Sequence, residues 1–143
     1  MTGTLPRHIQ STGDRVELSI PALPELLSLP RLVAAAVASR CGFDVEEVED
    51  VRLAIEELCL AAFDGRGAGR LHIGIDLGAG TLAVDCTFEP HGAGIAEVPR
   101  RGEVASELTE QLLEALADEH GTETSEGVTR AWFTKSRSAT TVE

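Results

Sequence analysis

Two segments in which apolar and polar residues alternate strictly, 70–77 and 81–89, constrain the fold of this chain more than any other feature. Side chains along a β-strand point alternately to its two faces, so each segment predicts a strand with one buried face. The connection Gly78-Ala79-Gly80 is short enough for an antiparallel hairpin. A hairpin that is apolar on one face needs a second layer to cover that face.

The other periodic segments extend the sheet and supply the covering layer. Alternation predicts a first and a last strand, with a short extra strand before the last one as an option, and Pro30 is expected to interrupt or restart the first helix. Together the segments predict an α+β fold, a two-layer α/β sandwich with a mixed, mainly antiparallel sheet covered by three helices. The added strands are expected at 15–20, 122–124 and 128–135, and the helices at 23–40, 44–64 and 106–120.

The two longer amphipathic helices are each expected to bury one apolar stripe. The helix at 44–64 also carries a capping-box pair, Asp44 and Glu47, and Gly65 suits the turn beyond its end. Its stripe consists of Val48, Val51, Ile55, Leu58 and Ala62. The stripe expected to face the core from the last helix consists of Val104, Leu108, Leu112 and Leu116.

The length and the net charge of the chain limit the kinds of protein that it can be. With 143 residues, the chain is expected to form one domain over 15–135, between flexible tails at 1–14 and 136–143. No apolar run approaches the roughly twenty residues that cross a bilayer, and no secretion signal is recognisable, so a soluble cytoplasmic protein without membrane contact is expected. The net charge of −12 argues against direct nucleic-acid binding. It would steer a basic protein partner, or serve solubility alone.

The cysteines and histidines show no metal-ligand spacing, so no metal site is predicted. Cys59 and Cys86 lie among apolar neighbours and are expected in the core. Cys41, next to Gly42 at a predicted helix end, is the candidate for an accessible thiol, and redox control through it is an open alternative.

The run Leu53-Ala54-Ile55-Glu56-Glu57-Leu58-Cys59 is similar to the first ATP-site motif of the anti-sigma serine kinases. This family, RsbW- and SpoIIAB-like, belongs to the histidine kinase/Hsp90-like (GHKL) ATPases, and the resemblance over 16–134 implies their Bergerat-type fold. In the family a glutamate is the general base toward a serine of the partner protein, and Glu57 matches it. The magnesium-binding asparagine four residues later is replaced by Ala61, whose methyl group offers no oxygen ligand.

Two further family motifs are altered. Gly92 and Gly94 match the two glycines of the nucleotide loop, but Pro90 replaces the aspartate that reads adenine. Glu89 cannot stand in for it, because neighbouring residues of a strand point to opposite faces. The turn that presents N–H groups to phosphates falls near 106–109, where there is no glycine and Glu107 adds a negative charge. The resemblance therefore implies a degenerate site with no bound cofactor, and 92–102 is either a shortened lid or a mobile linker.

Arg31 matches an arginine that engages partner proteins in the family, although a solvated surface arginine is an equal alternative. The resemblance implies an anti-sigma factor, a homodimer that sequesters a sigma factor of RNA polymerase. An anti-anti-sigma antagonist of the STAS type would release it, and no ATP turnover is expected.

Two alternatives remain. One is an active serine kinase that phosphorylates the antagonist with ATP and magnesium, with Glu57 as base. The other is a catalytically silent scaffold in a different two-component or stress circuit. For Glu57 itself, a solvated helix acid beside Glu56 is an equal alternative to a catalytic role.

Overall fold

The computed structural model describes residues 14–63, 67–91, 102–126 and 128–138. Within these ranges the chain forms an antiparallel sheet in the order β1-β2-β3-β5-β4, with three helices. All four neighbouring strand pairs are antiparallel. The elements are β1 (Arg15–Pro21), a 3₁₀ turn (Pro24–Leu26), α1 (Ser28–Arg40), α2 (Val45–Phe63), β2 (Gly69–Leu77), β3 (Thr81–Pro90), α3 (Glu103–Leu116), β4 (Glu119–Ser125) and β5 (Val128–Ser136). The predicted α+β sandwich is confirmed.

The predicted hairpin is β2 and β3. Ile73 lies opposite Cys86, and Ile75 opposite Val84, on the face that the helices cover. The turn needs glycine at Gly80, whose φ of 77° lies in the left-handed region. The alternating pattern thus reports the buried face correctly.

The helical layer is centred on α2, which packs against α1 on one side and α3 on the other and rests on β3 and β5. Its predicted stripe is confirmed, because four of the five side chains have no exposed surface and Val48 packs against the same core. α1 begins afresh at Ser28 after the 3₁₀ turn, with Pro30 buried in its first turn, where proline is tolerated. None of the described helices combines the length and apolar character needed to cross a membrane.

The capping box at the start of α2 is confirmed. The Glu47 N–H donates to Asp44 Oδ1, and the Asp44 N–H donates to Glu47 Oε1, both at 2.8 Å. The second Glu47 oxygen accepts bonds from the hydroxyl and the N–H of Ser138, the latter at 2.6 Å, and these bonds with Ser138 and Asp44 lower the pKa of Glu47. Ser136 ends β5 and Ser138 is held at α2, whereas the remaining tail predictions, 1–13 and 139–143, lie outside the described residues, as does Gly65.

The boundary of the last helix differs from the prediction. α3 ends at Leu116, four residues before the predicted end at 120, and Ala117 is extended. The Asp118 N–H donates to the Thr134 carbonyl at 2.8 Å, which turns the chain into β4. Nearly every residue of β4 is polar, so the strand lacks an alternating apolar signal and is held by its backbone pairing with β5.

The stripe predicted to face the core from α3 is largely wrong. Val104 is 73% exposed, Leu108 52% and Leu112 40%, and only Leu116 packs against the core. The side of α3 that packs inward instead carries Thr109 and Leu113. Docking on α2 therefore rotates α3 away from the orientation that its apolar pattern predicts.

The sheet face opposite the helices is polar. Arg15 bridges Asp76 at 2.6 Å and Asp85 at 3.1 Å, and it does so across Gly74, where a Cβ atom would lie 1.9 Å from the guanidinium. Burial raises the pKa of Asp85, and the charge of Arg15 acts in the opposite direction. This arginine compensates two largely buried carboxylates that none of the described helices covers.

Replacing Asp44 by alanine should lower the free energy of unfolding by about 1 kcal/mol, because the Glu47 N–H loses its capping acceptor. Urea denaturation measures the change. Glu46→Ala is the matched control, since Glu46 is an exposed acid in the same first turn. Equal losses in both variants would show that helix-dipole charge, and not the cap, stabilises this end.

Candidate nucleotide and partner site

Glu57, the residue aligned with the catalytic glutamate, contacts α3. Its Oε1 accepts a hydrogen bond of 2.8 Å from the hydroxyl of Thr109, which is only 4% exposed. A general base must lie within hydrogen-bond reach of the hydroxyl that it deprotonates. In this structure an internal hydroxyl occupies one oxygen of that carboxylate.

Ala61, one helical turn after Glu57, borders a cavity of about 430 Å³ between α2, α3 and β4. The alanine contributes a methyl group where the family motif has a magnesium ligand. Among the described residues no group of three or more His, Cys, Asp or Glu could hold a metal ion. The cavity is lined by Ala61, Ser106, Thr109, Glu110, Leu113, His120, Gly121 and Thr122.

The segment 106–109, where the resemblance places the family's phosphate-binding turn, lies inside α3. The helix begins at Glu103, after Gly102 with a φ of 98°, and the Ser106 N–H donates to the Gly102 carbonyl at 3.0 Å. This amide is engaged within the helix. The segment is helical, as its apolar pattern predicts, and this amide of Ser106 is not presented to a ligand.

The end of β3 agrees with the interpretation of the second motif. Phe88 is buried in the core, whereas Glu89 points to the other face and lies 2.8 Å from Nε2 of His72. Pro90 pairs with Gly69 at the end of the strand. Glu89 thus cannot replace the missing aspartate. Gly92 and Gly94, like the rest of 92–101, lie outside the described residues, and their predicted role stays a prediction.

Arg31 is anchored to α2. Its Nη1 donates to Oε1 of Glu56 at 3.1 Å, and its Nε is buried without a hydrogen-bond partner among the described residues. The side chain is 35% exposed, so it is not the freely solvated arginine of the alternative reading. The exposed part of the guanidinium lies next to Glu56, the residue before Glu57.

Exposed leucines beside Arg31 were not singled out from the sequence. Leu29 is 42% exposed and Leu32 69%. They lie off the buried side of α1, which is formed by Pro30, Ala34 and Ala38. The small size of these buried residues was the available signal, because it leaves the larger leucines outside. An arginine flanked by exposed leucines has the composition of a protein interface.

The cysteines behave as the sequence predicts for the core pair. The sulfur atoms of Cys59 and Cys86 lie 3.7 Å apart with both side chains buried, and this contact together with desolvation raises the pKa of Cys86 well above its usual range. Partial burial also raises the pKa of Cys41, against the effect of Arg137. A smaller thiolate fraction disfavours redox control through Cys41.

Thr109→Val should lower the free energy of unfolding by about 1 to 2 kcal/mol, since a partly buried carboxylate loses a donor while the volume is kept. Urea unfolding measures the loss. Thr122→Val is the control, because Thr122 borders the same cavity and is exposed. If both variants are as stable as the wild type, the contact between Thr109 and Glu57 does not hold α3 in place.

Comparison with known proteins gives partial sequence matches to one family. No family model matches the chain. It is 43% identical over 54 residues to the serine-protein kinase RsbW of Bacillus pumilus, covering 38% of this chain and 33% of that protein. RsbW of Bacillus subtilis is 37% identical over 54 residues, which cover 38% of this chain and 34% of that protein. RsbW of Oceanobacillus iheyensis is 32% identical over 71 residues, which cover 47% of this chain and 45% of that protein. The chain thus spans between a third and a half of the length of these curated relatives.

A solved structure shares the fold over most of the chain. It contains the RsbU and RsbW domains of Rv1364c from Mycobacterium tuberculosis and superposes with a TM-score of 0.63 at 18% identity, covering 89% of this chain and 35% of that one. At this identity the likeness speaks for the fold alone. The fold agrees with that of this RsbW-containing structure, and over 54 to 71 residues the chain is similar in sequence to serine-protein kinases RsbW.

Proposed function

We propose that this chain is an anti-sigma factor that sequesters a sigma factor by protein–protein binding and is released by an anti-anti-sigma antagonist, without ATP turnover. The hydrogen bond between Glu57 and Thr109, one turn from Ala61, is the observation that carries this proposal. This hydrogen bond engages the carboxylate that would act as general base, and the methyl group of Ala61 cannot ligate magnesium.

The free energies of ATP binding favour a binding protein over a catalyst. Loss of one hydrogen-bonding or charged contact costs about 1 to 3 kcal/mol, so the three altered motifs together would remove about 3 to 9 kcal/mol if their effects added. Micromolar affinity for ATP corresponds to only about 8 kcal/mol. These losses are large enough to abolish ATP binding at ordinary concentrations.

The proposed surface for the sigma factor is centred on Arg31. Its side chain is held by Glu56 and offers an oriented cation, and Leu29 and Leu32 are exposed on the same helix. Arginine is enriched at energetically important interface positions because its planar group makes several hydrogen bonds. The net charge of −12 would speed encounter with a basic partner surface.

The second candidate is an active serine kinase, favoured by the name serine-protein kinase that the matched relatives carry and by the retained Glu57. For this function Thr109 would have to release the carboxylate, and magnesium would have to bind without a ligand from Ala61. The STAS-type antagonist and the homodimer remain predictions.

Titration of the purified full chain with ATP and magnesium should give no saturable heat in calorimetry, because the altered motifs remove the contacts to metal and adenine. RsbW of Bacillus subtilis, titrated in the same way, is the positive control, since a protein kinase takes ATP as its phosphate donor. Saturable binding, followed by transfer of phosphate to a serine of an antagonist protein, would establish the kinase instead.

Arg31→Ala should reduce capture of a sigma factor by the tagged full chain about ten-fold or more, because an anchored interface arginine is lost. Quantitative mass spectrometry of the captured proteins measures this. Arg52→Ala is the matched control, since Arg52 is a half-exposed arginine on α2 paired with Glu49 of its own helix.

Two outcomes distinguish a wrong interface residue from a wrong function. Equal capture by both variants means that Arg31 is not in the interface, although the function stands. Failure of every variant, wild type included, to capture a sigma factor means that the function itself is wrong.

A further inference from the structure

Three large apolar side chains form an exposed line along α3. Val104, Leu108 and Leu112, here called the α3 stripe, are 73%, 52% and 40% exposed. They are spaced by four residues, so they lie one above the other on the same side of the helix. The stripe covers more than two turns of α3 and is therefore a continuous apolar ridge.

The distribution of residues around α3 is the reverse of what burial within one domain favours. The inward side is occupied by Thr109 at 4% exposure and Leu113 at 3%, whereas the three residues of the stripe face outward. A surface helix usually turns its larger apolar side chains to the core and its polar ones to solvent. Contiguous exposed apolar surface of this kind is typical of an interaction site.

One margin of the stripe is acidic, because Glu107 and Gln111 lie three positions after Val104 and Leu108, and further exposed acids follow beyond them on the same helix. Glu107, Glu110 and Glu114 are exposed on the same helix together with Gln111, and α3 contains no lysine or arginine. Like charges oppose antiparallel or parallel pairing with α3 of a second copy, and they oppose anionic lipid and nucleic acid. The complementary partner is apolar along its centre and basic along the margin that meets Glu107 and Gln111.

We infer that the α3 stripe docks an amphipathic helix of another protein, with leucine-type residues on one side and lysines or arginines along their border. A helix suits a straight ridge, because two helices pack by fitting side-chain ridges into grooves. α2 lies between α1 and α3, so this surface is separate from the one around Arg31. The inference does not rest on the anti-sigma function and holds equally for a kinase.

The test uses the full chain and two fluorescent synthetic helices of about five turns that share one leucine stripe and differ only in lysine or glutamate margins. In fluorescence anisotropy the lysine-margined peptide should bind, and the glutamate-margined peptide at least about ten-fold more weakly. Val104→Ser combined with Leu108→Ser should weaken binding of the first peptide by at least about ten-fold. Val45→Ser is the matched control, since Val45 also lies in the first turn of its helix and is 80% exposed.

A charge-reversal variant tests the margin. Glu107→Lys with Gln111→Lys should weaken binding of the lysine-margined peptide and strengthen binding of the glutamate-margined one. Circular dichroism should show all variants folded, because every substituted side chain is exposed.

Three results would overturn the inference. They are no binding of the lysine-margined peptide, equal binding of both peptides, and unchanged binding by the double serine variant. A lower mass of the unliganded double serine variant in light scattering would identify a second copy as the occupant. Binding that appears only after residues 92–101 are shortened would identify the chain's own segment as the occupant, and either result replaces the proposed partner.

Discussion

The burial of α2 on the sheet is the interaction on which the rest of the structure depends. Complete burial of an aliphatic side chain such as Ile55 or Leu58 contributes about 1.5 to 3 kcal/mol relative to exposure. The same helical period that directs these residues to the sheet directs the residues between them sideways. Glu56 thereby meets Arg31 of α1, and Glu57 meets Thr109 of α3. One packing constraint thus sets both the position of the Arg31 guanidinium and the covered carboxylate of Glu57.

Much of the fold could be predicted because its signals are local. The hairpin, the stripe of α2 and the Asp44 capping box each depend on residues close in sequence, and each is confirmed. The two errors concern elements whose positions are decided by distant partners. β4 is held by backbone pairing that leaves no apolar pattern, and the orientation of α3 is set by its contact with α2.

The features of the candidate site also fall into those that residue type alone predicts and those that depend on distant contacts. The replacements at Ala61 and Pro90 could be interpreted from residue type alone, because a methyl group or a proline ring lacks the required oxygen whatever its surroundings. The contacts of Glu57 and Arg31 could not, since their partners lie 52 and 25 residues away in the chain. The sequence therefore predicts which chemical groups are missing, whereas the structure shows which groups cover the remaining carboxylate.

The order of strands has a consequence for recognition. β1 and β4 are the outermost of the described strands, and their side chains include charged residues such as Arg15, Glu17, Glu119 and Glu123. Charges on edge strands discourage the addition of a further strand from another polypeptide, which limits both aggregation and β-augmentation. Recognition of another protein through its backbone is thus disfavoured at β1 and β4, which leaves side chains as the groups available for such contacts.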